Sequence, residues 1–259
     1  TFNGAVNTNA AGGISLTGNV QTVNAGITTT TGGPVTFTNA GLLTLNANIT
    51  SDGAVTQNGA GAVTITGSRT VSTTSDAVDF LRAVTLNGAG SLVAINTTAA
   101  GTGGAITFQS TLDATTAGAT AEDLTLTAGT AGSITFTGAV GTTRLGDVII
   151  ASANNVTETA GLSAATLTQS AGTGTTTFNG AVNTNAAGGI SLTGTNLAVN
   201  NTITTTGSGP VTVNESGTAT FAAAGDISAD AAVSLTATGG ITTAGDVTSV
   251  EVVVTVEVV

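Results

Sequence analysis

The eighteen residues TFNGAVNTNAAGGISLTG at positions 1–18 recur letter for letter at positions 177–194. An identity of that length does not come from shared composition, so a unit has been copied, and self-similarity of this kind marks a repeat architecture. The echo continues: Asn24, Ile27, Thr28, Gly33, Pro34, Val35, Thr36 and Gly41 reappear as Asn200, Ile203, Thr204, Gly209, Pro210, Val211, Thr212 and Gly217. Residues 1–41 are thus repeated at 177–217, at an offset of 176. If the chain winds in equal coils, that offset is a whole number of them.

Short runs that alternate apolar residues with Thr or Ser give the coil. They include Ile14 to Thr17 (ISLT), Val35 to Thr38 (VTFT), Val63 to Thr66 (VTIT), Ile134 to Thr137 (ITFT) and Val233 to Thr236 (VSLT). A period of two is that of a half-buried strand, and no stretch carries a helical period. Pairs such as Asn3-Gly4, Gly12-Gly13, Asp52-Gly53 and Gly239-Gly240 separate the runs and supply the positive φ that corners require. Landmarks such as Ile14 and Val35, Val84 and Ile106, or Val211 and Val233 lie 21 or 22 residues apart, and eight coils of 22 fill the offset of 176. Runs start six to eight residues apart within a coil, so three fit in each. The expected fold is all-β: a three-sided right-handed parallel β-helix of about 22 residues per coil and about twelve coils.

Phe136, Phe178 and Phe221 are 42 and 43 residues apart, as are Phe37 and Phe80 at 43, which predicts interior stacks at one of two positions. Residues 68–83 (SRTVSTTSDAVDFLRA) break the pattern with mixed charge, and residues 111–123 carry a surplus of about six residues. Both are expected to leave the stack as loops, and Arg69, Asp76, Asp79 and Arg82 are the candidate ligand loop. The solenoid is expected over residues 1–249. Residues 250–259 (VEVVVTVEVV) form a longer strand with Val250, Val252, Val254, Val256 and Val258 on one face, expected to cap the shaft or contact a neighbouring subunit.

Composition narrows the chemistry. The 259 residues hold no His, Cys, Tyr, Trp or Met, more than a fifth are Thr, and the net charge is −11. Arg69, Arg82 and Arg144 are the only cations, which excludes phosphate-directed nucleic-acid binding and disfavours anionic membranes. No apolar run is long enough for a membrane helix. Residue 1 is Thr and the chain opens inside a repeat, so the expectation is a processed chain or a piece of a longer one, with the repeat favouring the second. Without His, Cys or Lys little catalytic machinery remains. An acid and base pair at Asp76 and Asp79 beside Arg82 is the one arrangement a polysaccharide-acting enzyme could use, and the chain is read as a non-enzyme with no cofactor. Calcium is the one ion kept open as an alternative, at the dipeptides Gly146-Asp147, Gly225-Asp226 and Gly245-Asp246, although each Asp lacks a second carboxylate nearby in sequence. Thr-x-Thr pairs at 36/38, 64/66, 125/127, 135/137 and 218/220 suggest a carbohydrate-binding or ice-binding face, but reduced by multiples of 22 they fall at different phases, as ordinary outward positions would.

The stretches GGISLTG, GPVTFTNAGLLTLNANITSDGAVTQNGAGAVTITG and GSITFTGAVG resemble the repetitive regions of filamentous-haemagglutinin and autotransporter-type adhesins. The resemblance covers nearly the whole chain, and the family's secretion domain has no counterpart in it. It implies export to the cell surface, a β-solenoid shaft, and a role in attachment, biofilm matrix or fibre building. The partners it implies are further copies stacking end to end, surface polysaccharide or other cells.

Overall fold

The computed structural model describes residues 1–250 and the strand Val254–Val258. Among the described residues every strand pairing is parallel and no helix occurs. Three strands make each turn, so the molecule has three faces. Face I is an eleven-stranded sheet running from Ile14–Gly18 to Gly240–Thr243. Face II runs from Gln21–Val23 to Val247–Ser249, and face III from Val6–Thr8 to Val254–Val258. Two long strands, Val140–Ser152 and Leu162–Gln169, pass from face II to face III without a corner and join those faces into one sheet of twenty-one strands. Eleven turns at the usual strand spacing make a rod about 50 Å long.

Alternation builds the interior. Along face I one column of side chains reads Leu16, Phe37, Gln57, Phe80, Phe108, Phe136, Glu158, Phe178, Val199, Phe221, Thr243 in continuous register. Six of the seven phenylalanines are therefore interior, in one column rather than two, while Phe2 is half-buried and bridges Val23. Phe80, Phe108 and Phe136 occupy successive turns with ring centroids 5.6 Å apart at 17° and 7°. Val, Ile, Leu and Ala take most of the remaining inward positions in a single cluster, each buried Val, Ile or Leu stabilising by about 1.5–3 kcal/mol, and buried Thr, Ser, Asn, Gln and Glu take others.

Turn length varies: 20 residues separate Val35 from Val55, and 28 separate Val78 from Ile106 and Ile106 from Ile134. The surplus lies in two loops, residues 97–105 and residues 115–122. The second coincides with the expected excursion. The first had been hidden, because Val84 is on face II and Ile106 on face I, so their separation of 22 is not a full turn. These two enlarged turns account for eleven turns where about twelve equal ones were expected. Residues 68–83 are not a bulge. They form the strands Arg69–Thr73 and Val78–Phe80 in register with the turns on either side, because Val71, Val78 and Phe80 point inward and outweigh the charge at their outward neighbours.

The twin segments are not a whole number of turns apart. Val6 and Ile14 lie on faces III and I, whereas their copies Val182 and Ile190 lie on faces II and III. The corner contacts survive this shift of one face. Gly13 and Gly189 have φ of 66° and 58° and donate to the carbonyls of Ala10 and Ala186, each at 2.9 Å. Thr29 and Thr205 donate through Oγ1 to the carbonyls of Gly33 and Gly209. The amides of Asp52 and Asp230 both donate to those hydroxyls at 3.1 Å. The Asp52 carboxylate receives Gly32 N–H at 2.7 Å, and that of Asp230 receives Ser208 N–H at 2.8 Å.

Candidate functional site

The four candidate ligand residues are spread around one turn. Arg69 opens its strand on face III and donates through Nη1 to the Ser68 carbonyl at 2.8 Å. Asp76 sits at the corner between faces III and I, where its carbonyl accepts from Thr73 Oγ1 at 2.5 Å. Asp79 is the outward residue of Val78–Phe80, and both its oxygens take Gln109 Nε2 of the next turn at 2.9 and 2.8 Å. Arg82 lies past the end of that strand and donates through Nε to the Gly59 carbonyl at 3.4 Å. No hydrogen bond or ion pair joins any two of the four.

Of the terminal valines, Val250 is exposed and Val252 lies outside the described residues. Val254, Val256 and Val258 belong to a strand that pairs in parallel with Val233–Ala237 and so adds a rung to face III. Among the described residues no group of three or more His, Cys, Asp or Glu is placed to hold a metal ion. Asp226 is occupied as a corner acceptor, taking Asp246 N–H at 2.8 Å. A surface depression of about 430 Å³ is lined by Asn7, Thr8, Asn9, Thr28 and Thr30, none of them charged.

Face I presents a regular surface. Its outward column reads Ser15, Thr36, Thr56, Asp79, Thr107, Thr135, Thr157, Thr177, Ala198, Thr220, Thr242, one residue per turn. Threonines from three of the Thr-x-Thr pairs, Thr36, Thr135 and Thr220, share this single phase. Reduction by a uniform 22 scattered them because turn length is not uniform. Asparagine ladders mark a corner in both copies: Asn24 Nδ2 donates to Asn3 Oδ1 at 2.8 Å, and Asn200 Nδ2 to Asn179 Oδ1 at 2.9 Å.

Several buried or half-buried polar groups hold places that the sequence did not assign to them. Glu122 is fully buried at the foot of loop 115–122, where it takes Gly88 N–H at 2.9 Å, Thr115 Oγ1 at 2.6 Å and Thr116 N–H at 3.0 Å. Burial pushes its carboxyl up, but these hydrogen bonds outweigh it and hold it below the ordinary value. Glu158 interrupts the phenylalanine column and accepts from the amides of Gly161 and Gly180. Arg144 leaves the bulge in Val140–Ser152 and donates to the carbonyls of Ala164 at 2.8 Å and Asn183 at 3.0 Å, across two turns. Glu215 is 2% exposed, and burial pushes its carboxyl up to about 7. The signal for Glu215 was in the duplication, which puts an acid at the buried position that Asn39 fills in the first copy. Comparison with protein-family models, curated proteins and solved structures finds no match to this chain.

Proposed function

We propose that this chain is a length of extracellular structural shaft, either the stalk of a large bacterial adhesin or a subunit that stacks end to end into a surface fibre. The observation that supports it is the interchangeability of the turns: one corner motif, with the same hydrogen bonds, serves on different faces. A rung that fits at any azimuth makes each turn an acceptable neighbour for the next, and a solenoid lengthens by repeating such contacts. The polar, weakly charged surface and the dispersed carboxylates suit a spacer better than a catalyst. Surface polysaccharide or other cells are the partners a stalk of this kind would meet.

Protease treatment of intact cells, followed by negative-stain microscopy of the native material, tests this. Digestion from outside and threads one solenoid wide are expected. Isolated rods of about 50 Å would overturn end-to-end stacking and leave the stalk, whereas protection from external protease would overturn both.

A second reading is favoured by the threonine column of face I: a module binding a regular hydroxyl-rich surface, carbohydrate or ice. Thr135→Tyr and Thr157→Tyr would disrupt the column, and loss of retention on insoluble polysaccharide, or of inhibition of ice recrystallisation, would support it. No retention and no inhibition in the unaltered chain would remove it.

A further inference from the structure

Glu215 ends the strand Val211–Glu215 on face III, and both its carboxyl oxygens are buried without a hydrogen-bond partner. The duplication supplies an internal control. In the first copy the same position is Asn39, which is fully buried and satisfied: its Oδ1 accepts from Gln57 Nε2 at 2.7 Å, and its Nδ2 donates to the carbonyls of Gly41 at 2.7 Å and Ala62 at 3.2 Å. Gln57 follows Phe37 in the ladder of face I, and on face III the residue that follows Val213 is Leu235. The second copy has thus gained a carboxyl and lost the amide that would serve it.

On the preceding turn, Gly194 stands where Gly18 stands in the first copy. A Cβ at Gly194 would lie 3.0 Å from Glu215 Oε2 and 3.3 Å from Gln169 Nε2. The glycine leaves room for the carboxyl; Gln169 Oε1 accepts from Thr176 Oγ1 at 2.8 Å, and Gln169 Nε2 makes no hydrogen bond to Glu215. The strands paired with Val211–Glu215 are Ile190–Gly194 and Val233–Ala237, the strand Leu162–Gln169 brings Gln169 to the same glycine, and none of the three contains a charged or titratable residue. No cation on these strands and no bonded donor compensates a negative charge there, and an uncompensated buried charge is among the costliest defects a core can carry.

We infer that Glu215 is a proton-operated weak point in the shaft: neutral, its carboxyl is tolerated between turns, and ionised, it loosens Val211–Glu215 from Ile190–Gly194 and Val233–Ala237. The direction follows from linkage. Its carboxyl titrates near 7 in the fold against an ordinary value of 4.5. The folded state therefore holds a proton that the open state has released, and stability falls as pH rises through that window and levels off above it. At a tenfold change per pH unit, local opening grows on the order of a hundredfold between acid and alkaline conditions.

Hydrogen exchange of the full chain at pH 5 and pH 8.5, corrected for intrinsic rates, reads this directly. Peptides covering 190–194, 211–215 and 233–237 are expected to open on the order of a hundredfold more at the higher pH. Peptides covering 14–18, 35–39 and 55–57, built around Asn39, should not change. Glu215→Gln should abolish the step. Leu235→Gln, which restores an amide where the first copy has Gln57, should move it to lower pH. Equal opening at both pH values in the unaltered chain, or a step that persists in Glu215→Gln, overturns the inference. If Glu215→Gln does not fold, the contrast between the two copies and the Leu235→Gln shift decide it.

Discussion

Removing one ring from the phenylalanine column separates what stacking contributes from what burial contributes. Phe108 is 2% exposed and lies between Phe80 and Phe136 with both centroids at 5.6 Å, whereas Phe37, 1% exposed, lies between Leu16 and Gln57 and has no ring neighbour. Either substitution by Ala loses the transfer free energy and leaves a cavity, about 3–5 kcal/mol. Phe108→Ala also loses two ring pairs at about 0.5–1.5 kcal/mol each, so it should exceed Phe37→Ala by about 1–3 kcal/mol. Turns of a solenoid couple mainly to their neighbours. The loss should appear in the opening free energies of Val78–Phe80, Ile106–Phe108 and Ile134–Phe136, measured by hydrogen exchange under mild urea, and leave Ile14–Gly18 unaffected. Equal costs for the two variants would show that the rings act only as hydrocarbon. A loss spread evenly over all eleven turns would refute nearest-neighbour coupling.

Gly13→Ala and Gly189→Ala place a Cβ 2.0 Å from the Pro34 carbonyl oxygen and 2.1 Å from that of Pro210, at positive φ. Each should cost at least about 1–2 kcal/mol, and by similar amounts on two different faces, as urea unfolding followed by circular dichroism would report. Glu122 has its carboxyl below the ordinary value, so its contribution is present above the usual carboxylate range and lost as pH falls through the lowered folded value. Acidification should therefore expose loop 115–122 to protease. Glu122→Gln leaves at least one amide donor unpaired at about 1–3 kcal/mol and should flatten that dependence. Arg144→Met strips the donor from the carbonyls of Ala164 and Asn183, and faster hydrogen exchange confined to the strands Val140–Ser152 and Leu162–Gln169 should follow.

The parallel solenoid and its three strands per turn were legible because alternation and Gly-rich corners are local signals. The inward placement of the phenylalanines was legible for the same reason. Phase around the axis was not. It accumulates every corner's length, so one unseen surplus at residues 97–105 moved Ile106 onto a face where Val84 does not lie and made a partial turn look complete. The same slip scattered the threonines that face I aligns. Charge misled in a different way: residues 68–83 read as a loop because of Arg69, Asp76, Asp79 and Arg82, yet the alternation of Val71, Val78 and Phe80 beneath them sets the structure. Satisfaction of buried groups was least visible, since whether Glu122 or Glu215 finds donors depends on residues one or two turns away.

The shift of the twin segments by one face identifies the physical unit of this chain. Were the full turn the unit, a copied segment would have to return to its original face to keep its neighbours. It does not: Ile14 pairs with Val35 on face I, and the identical Ile190 pairs with Val211 on face III. What is preserved is one strand, one corner and the strand that lies above, joined by Ile14 N–H to the Pro34 carbonyl at 2.8 Å and Ile190 N–H to the Pro210 carbonyl at 2.9 Å. Three near-equivalent faces make that unit indifferent to azimuth, so corners can lengthen without breaking the ladder so long as strand still meets strand. The cost of such freedom is an ambiguous register, since a strand of alternating Val and Thr fits many neighbours. Like-on-like stacking removes the ambiguity where it is greatest. The only consecutive phenylalanines in the column, Phe80, Phe108 and Phe136, bracket the two turns with surplus loops, where corner length no longer dictates which residue lies above which.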